Sequence, residues 1–356
     1  MNDRSFEVAI LGGGAAGSAA ALALLKRGVS SVCIVEKSDF SSARAGETIP
    51  PDTNLLMREL GVFDTFAADG HLPCFGSHSL WGSPQLGHND FMTSPYGHGW
   101  HIDRARFDKM LLEQAISNGA KLIAKNCTEV AQTDGCIDYL AVEGERIFAN
   151  HFVDASGRNS QILRGLGVGQ NFNDQQTVIW AHFAIQDGAL GRSTWLEAAS
   201  NGWWYAAGLP NEKAVVALGT DPRLAKAGGV FQLKHWAAAL SGTTLIAPKL
   251  RHARLVPDSL RITASHSYRA DRVCGKNWIA IGDAASGFDP LSSAGIYKAL
   301  NSGKAAAEAI QGNGASLYEL NAQQDYETYL LKRRELYQSE TRWPESEFWA
   351  KRHRAA

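Results

Sequence analysis

The sequence predicts an α/β fold in which strand-turn-helix units build a parallel sheet and a separate antiparallel β-sheet is inserted between them. Three observations lead to that class. Near residue 10 the apolar run FEVAIL enters a glycine-rich turn and then an Ala/Leu helix pattern; near residue 280 NWIAI does the same. Short apolar runs followed by helices are the pattern of parallel strands buried on both faces. Between the two units, TVIWAHFAIQD, STWLEAAS, GWWYAAGLP and KAVVALGTD alternate polar and apolar residues, which is the period of an antiparallel sheet.

The bulk composition narrows the function classes. A chain of 356 residues is long enough for a sizeable core, and a formal charge of −1 gives no pull toward nucleic acid or membrane surfaces. The five cysteines (Cys33, Cys74, Cys127, Cys136, Cys274) are scattered without a CxxC pair, against a disulfide framework or a zinc site and in favour of a reducing cytoplasm. No run approaches the roughly 20 apolar residues of a membrane span, and MNDRSF leads into a strand with no room for a secretion signal. His98 and His101, three apart in HGWHIDR, lack a Cys or carboxylate set at metal spacing, so no metal is expected.

In the first turn, Gly12 permits the tight bend, Gly14 lets the backbone near Ala15 and Ala16 approach a pyrophosphate, and Gly17 lets the helix lie close to the strand. The helix N-terminus faces the anion. The strand pattern SVCIV that follows ends at Glu36 and Lys37; Glu36 stands nineteen residues after Gly17, where a carboxylate accepts both ribose hydroxyls and disfavours a 2′-phosphate. This Rossmann-type spacing suits FAD or NAD. In the second turn, Gly282 and Asp283 close the strand, and a carboxylate there can bond a polyol such as ribityl. Pro290 halts the loop, Ser292 or Ser293 can cap, and the helix pattern from Ala294 and Gly295 to Ile310 projects about +0.5 charge from its N-terminus. A reduced flavin would have its N1/O2 anion stabilised there. Two turns thus hold the two ends of one long cofactor.

Further motifs lie between them in order: Arg44 and the GETIP run with Glu47 and Thr48, IDRARFDKMLLEQA with Arg104, and VDASGRNS with Asp154, Gly157 and Ser160. With GDAASGFDPLSSAGIYKAL, they resemble the FAD-dependent aromatic monooxygenases of the p-hydroxybenzoate hydroxylase fold, in the branch of the flavin-dependent halogenases. The resemblance implies a Rossmann-type FAD-binding domain from segments 1–75, 98–170 and 266–315, a substrate domain from 76–97 and 171–265, and a C-terminal helix and tail over 316–356. It implies FAD, reduced by transiently bound NAD(P)H or by a flavin reductase, with Arg104 at the cofactor. An arginine at a helix start opposes the macrodipole and calls for a phosphate or carboxylate partner. Glu47 also reads as a solvated loop acid, and FVDASG as an ordinary turn.

Substrate residues are less marked. Trp203 and Trp204 sit in a run similar to the GW-x-W-x-I-P motif of halogenases, and pack equally well as core aromatics. The halogenase resemblance also implies a lysine after the GE loop; here the stretch reads CFGSHSLWGSP, with His78 and no lysine. Oxygen insertion into an electron-rich aromatic, of indole or phenol type, is therefore the expected chemistry. The W-x-E…GWWY…LP segment is similar to flavoproteins that mature tryptophylquinone cofactors, which adds a Trp side chain of a partner protein as a candidate substrate. Halogenation, and an FAD-binding protein that mainly docks a partner enzyme, stand as alternatives. The segment from Leu317 to Arg334 and the later KRHR read as an amphipathic helix with a solvated basic end.

Overall fold

The computed structural model describes residues 2–186, 188–312 and 314–354. Strand Asn2–Leu11 forms the middle of a seven-stranded sheet, parallel to Val32–Val35 on one side and to Glu145–Asp154 on the other. Val8–Leu11 and Val32–Val35 are buried throughout, as an apolar run covered on both faces requires. The late strand Trp278–Ala280 joins parallel to the end of Glu145–Asp154. Leu11, Val35, Asp154 and Ala280 consequently end on one edge of the sheet. That edge is where open α/β sheets place ligands.

Two helices cover one region behind this edge. Ala15–Lys26, with Ala19, Ala20 and Ala21 fully buried, packs against Gly295–Gly312. The approach depends on Gly303, where a Cβ would stand 2.5 Å from the carbonyl oxygen of Ala16. Backbone contact of this kind brings both helix N-termini to the same cleft.

The second sheet has eight strands and draws Gly76–Leu80 and Gly87–Asp90 together with strands from Thr177 to Ala264. Its pleat sorts the aromatics. Trp180 and Trp203 point to the face that packs with Tyr337, Phe348 and Trp349, while Trp204 turns to the opposite face and packs on Trp236 of helix Leu233–Ser241.

The C-terminal segment departs from the expected solvated end. Helix Ala315–Gln338 and helix Glu347–Arg354 bury Tyr337, Phe348 and Trp349 against the second sheet. Two of the basic residues are buried or half-buried in ion pairs: Arg333 with Asp174 and Asp289, and Arg352 with Asp221 at 2.8 Å. Amphipathic patterning cannot show this, because the partners lie in distant segments, Asp289 44 residues from Arg333 and Asp221 131 from Arg352. Among the basic residues, Lys332, Arg334, Lys351 and Arg354 stay exposed.

Candidate cofactor cleft and active site

A cavity of about 530 Å³ lies along the C-terminal edge of the parallel sheet and continues under the antiparallel one. Gly12, Gly14, Ala15, Ala16, Glu36, Lys37 and Arg44 line one end. Glu47, Thr48, Arg104, Gly157, Asp283, Pro290, Ser293 and Gly295 follow, and Trp203 lies at the sheet end. Residues as far apart as Gly12 and Gly295 therefore share one surface.

Each end is held by identifiable contacts. Gly12 has φ +108° and no room for a Cβ against Ala155, while Gly14 has only Arg44 nearby, at 3.9 Å. The turn is thus packed below and open above. Glu36 accepts from the Gly13 amide at 2.8 Å and from the Ser38 amide at 2.7 Å, which fixes its carboxylate beside the turn. Arg44 donates to Asp108 at 3.0 Å and to Ser38, and it reaches over Gly14.

Arg104 meets the partner that its place at a helix start demands. Its Nη2 pairs with Asp108 of the same helix at 3.1 Å, and its Nη1 donates to the carbonyl of Ala45 at 2.8 Å. Gly46, at φ +98°, leaves that room; a Cβ would stand 2.7 Å from Nη1. At the far turn, Asp283 pairs with Lys298 at 2.9 Å and lies 3.7 Å from Arg158. Burial pushes its carboxyl up, but the two cations outweigh burial and hold it below the usual carboxylate range.

Six expected site residues stand elsewhere. Gly17 is packed beneath the turn, where a Cβ would overlap the carbonyl oxygen of Gly12. Gly282, at φ +57°, likewise faces Ala16, and Ala294 leaves the wall to its neighbours Ser293 and Gly295. Asp154 is fully buried; its carboxylate accepts from Ser156 and from the amides of Ile162 and Leu163, so it secures the turn after its strand. Trp204 is in the opposite core, as the pleat dictates. His78 lines a separate cavity of about 430 Å³, with its Nδ1 2.7 Å from that of His88 and its ring stacked on Trp195.

Other residues reach the cleft unannounced by motif. Trp180, Tyr205, Thr263 and Phe288 wall the sheet end, and Asp108 and Arg158 the cofactor end. Tyr205 adjoins the Trp pair and its alternation places it on the same face as Trp203, a signal that was legible. Asp289 lines the cleft and bonds Tyr337 at 2.7 Å, while Tyr337 accepts from the indole nitrogen of Trp203 at 3.0 Å. No local pattern announces that link, since helix Ala315–Gln338 supplies it.

The wall suits FAD. The N-terminus of helix Ala15–Lys26 has no side-chain cap and opens on the Gly14 turn, Glu36 lines the cleft beside that turn, and Glu47 Oε1 and Arg104 Nε are buried without partners among the described residues. The tryptophan halogenase family matches residues 7–82 and 77–351. The chain belongs to that tryptophan halogenase family. LodB of Marinomonas mediterranea, named as an FAD-dependent oxidoreductase, is 32% identical over 98% of this chain and 97% of its own. A 1H-pyrrole-2-carbonyl-[peptidyl-carrier protein] chlorinase of Pseudomonas fluorescens is 28% identical, covering 89% of this chain and 79% of its own. Among solved structures, the flavin-dependent halogenase CmlS superposes with TM-score 0.84 at 29% identity, over 98% of this chain and 68% of that one. QhpG, a peptidyl tryptophan dihydroxylase essential for tryptophylquinone cofactor biogenesis, shares the fold with TM-score 0.77 at 23% identity, over 98% and 79%. This tryptophan halogenase family member is thus an FAD-dependent enzyme with the α/β architecture of that family, and no helix among its described residues is long and apolar enough to cross a membrane.

Proposed function

We propose that the protein is an FAD-dependent monooxygenase that inserts one oxygen atom into an electron-rich aromatic ring, the side chain of a Trp in a partner protein being the favoured form of that ring. The observation that carries this reading is the make-up of the sheet end of the cleft. Val178, Trp180, Trp203, Val215 and Ala217 supply an apolar and aromatic wall, and the lysine lining the cleft, Lys37, stands at the opposite end beside Glu36. The halogenase-type lysine has no counterpart on that wall among the described residues. The basic groups of the cleft, Lys37, Arg44, Arg104 and Arg158, all lie with the cofactor segments. A free amino acid would bring a carboxylate to a wall without a cation; a side chain or a neutral ring does not.

FAD, when bound, supplies oxygen activation from dioxygen and the electrons of NAD(P)H or a reductase. The chain's own residues would then act as follows. Gly14, Ala15, Ala16, Arg44 and Glu36 bind the nucleotide end, and Glu47, Thr48, Arg104, Asp283 and Ser293–Gly295 border the flavin end. Trp203 and Trp180 orient the ring by their faces, because both indole N–H groups are already used, on Tyr337 and Thr263. Burial of the wall excludes water from the reacting atoms. In this reading, segments 76–97 and 171–265 serve the substrate and the remaining segments up to 315 the cofactor, with 316–356 bracing both.

Family membership favours halogenation as the second reading. The test supplies reduced holoprotein with oxygen, chloride or bromide, and either free indole or a Trp-containing peptide. A mass gain of one oxygen atom supports the monooxygenase; a gain of halogen overturns it. A protein that only docks a partner would give neither product and release hydrogen peroxide.

A further inference from the structure

Within the oxygenation reading, one buried acid has no assigned chemistry. Glu47 is 5% exposed and stands where Ala45, Gly46 and Thr48 join the cofactor segments to Trp203 and Tyr205 of the second sheet. Its Oε2 accepts from the neighbouring Gly46 amide at 2.9 Å, and its Oε1 has no partner among the described residues. Two other buried carboxylates, Asp154 and Glu197, are by contrast saturated. Asp154 accepts from the amides of Ser156, Ile162 and Leu163 and from the Ser156 hydroxyl, and Glu197 accepts from the amides of Thr244, Leu245 and Ile246 and from the Thr244 hydroxyl. Those two acids are held for structure by their partners; the free oxygen of Glu47 is not.

Its place is nevertheless fixed. The Glu47 carbonyl accepts from the Ile102 amide at 2.7 Å, and Thr48 pairs with His101 across the short sheet and meets the Tyr205 hydroxyl at 2.5 Å. The groups that face it are Arg104 and Asp103 from the start of helix Arg104–Ser117, Tyr205 from the second sheet, and His101 from the paired strand. Burial pushes the carboxyl up to about 7, against the Gly46 amide and the Arg104 charge, with Asp103 adding to the rise. Burial also holds His101 down at about 4, so that histidine stays neutral and does not compete for protons near neutrality.

We propose that Glu47 is the proton-exchanging catalytic residue of the cleft, taking the proton that the ring carbon loses once oxygen has been inserted. The carbon–hydrogen bond of the oxygenated carbon breaks, its electron pair restores the aromatic system, and the proton passes to the Glu47 carboxylate. Glu47 then returns that proton to the new ring oxyanion. Dioxygen supplies the inserted atom; its second atom leaves as water, completed by two electrons from the reductant and two protons from solvent. A residue poised near the working pH suits such an exchange. A negative charge gained by the cofactor on reduction also raises the proton affinity of an acid in the same cleft.

The test compares FAD-loaded wild type, Glu47→Gln and Glu47→Asp, the last keeping the acid as a control for folding. Two quantities are followed against pH: the midpoint potential of bound FAD, and the share of consumed oxygen recovered in oxygenated indole as opposed to hydrogen peroxide. The pH at which the slope of the potential changes should be displaced in Glu47→Gln and kept in Glu47→Asp, and the oxygenated share should fall about a hundredfold in Glu47→Gln. Superimposable potential curves and an unchanged share overturn the proposal. If wild type makes only peroxide from indole, oxygenation of this ring class fails separately, and the potential curves alone decide on Glu47.

Discussion

Glu47 and His101 sit one strand apart in the same buried region, yet burial drives them in opposite directions. Glu47 is raised to about 7, so its ionised form is penalised in the fold: the stability associated with it is present below the ordinary carboxyl range and lost as pH rises through 7. His101 is lowered to about 4, so its contribution is present above the ordinary imidazole value and lost as pH falls toward 4. Glu47→Gln, which imitates the neutral acid, should therefore match wild type in urea unfolding at about pH 4 and exceed it by on the order of 3 kcal/mol at pH 8. Equal unfolding midpoints at pH 8 would mean that the carboxyl is solvated in the folded protein. Asp108 is the converse case. It is fully buried between Arg44 and Arg104, and Asp108→Asn should cost about 3 kcal/mol, because two guanidiniums then lose their shared anion. Thermal melts at low and high salt would check this, a buried trio being little screened.

At the scale of the element, the first turn and the Trp pair each make a comparison within a few residues. Gly14 opens on the cleft and has φ −71°, whereas a Cβ at Gly17 overlaps the Gly12 carbonyl. Gly14→Ala should leave far-ultraviolet circular dichroism intact while weakening FAD binding by about tenfold or more, a loss of at least ~1.4 kcal/mol. Gly17→Ala should reduce soluble, folded protein before any ligand is added. Similar FAD affinity in the two variants would contradict the assignment of one glycine to the cofactor and the other to packing. On strand Gly202–Leu209, Trp204→Ala removes a core aromatic and should cost about 3–5 kcal/mol. Trp203→Phe keeps most of the apolar volume but frees the Tyr337 hydroxyl from its indole donor, so it should alter product yield more than stability.

Across the whole molecule, the C-terminal helices brace the sheet end of the cleft and the Pro290 turn together. Asp289 stands at the Pro290 turn, and Tyr337 joins it to Trp203; Arg352 reaches past both to Asp221 and Gln176. Arg352→Met would leave Asp221 buried with the exposed Lys351 as its remaining cation, at 3.5 Å. A loss of about 3 kcal/mol in chemical unfolding is expected, with FAD release moving to lower denaturant in step. If FAD is retained unchanged while the sheet domain unfolds, the brace does not reach the cofactor.

Local chemistry in the chain already determined much of this. Gly12, Gly14 and Gly17 with Glu36 could be placed from spacing, since a pyrophosphate turn needs its glycines and its acid at set intervals, and burial on both faces leaves apolar runs wherever parallel strands occur. The ordered motifs also pointed to the family. What they could not separate was a glycine, acid or tryptophan that meets the ligand from one that holds the turn, because both uses select the same residue type. Asp154, Gly17 and Trp204 went to packing, and His78 to a second cavity, only once the chain closed. The pairing of Trp203 with Tyr337, the burial of Arg352 and the unpartnered oxygen of Glu47 depend on groups brought from distant segments. Sequence periodicity reports which face a residue takes; desolvation and the identity of its partner are set by everything packed against that face, and the tertiary structure alone decides them.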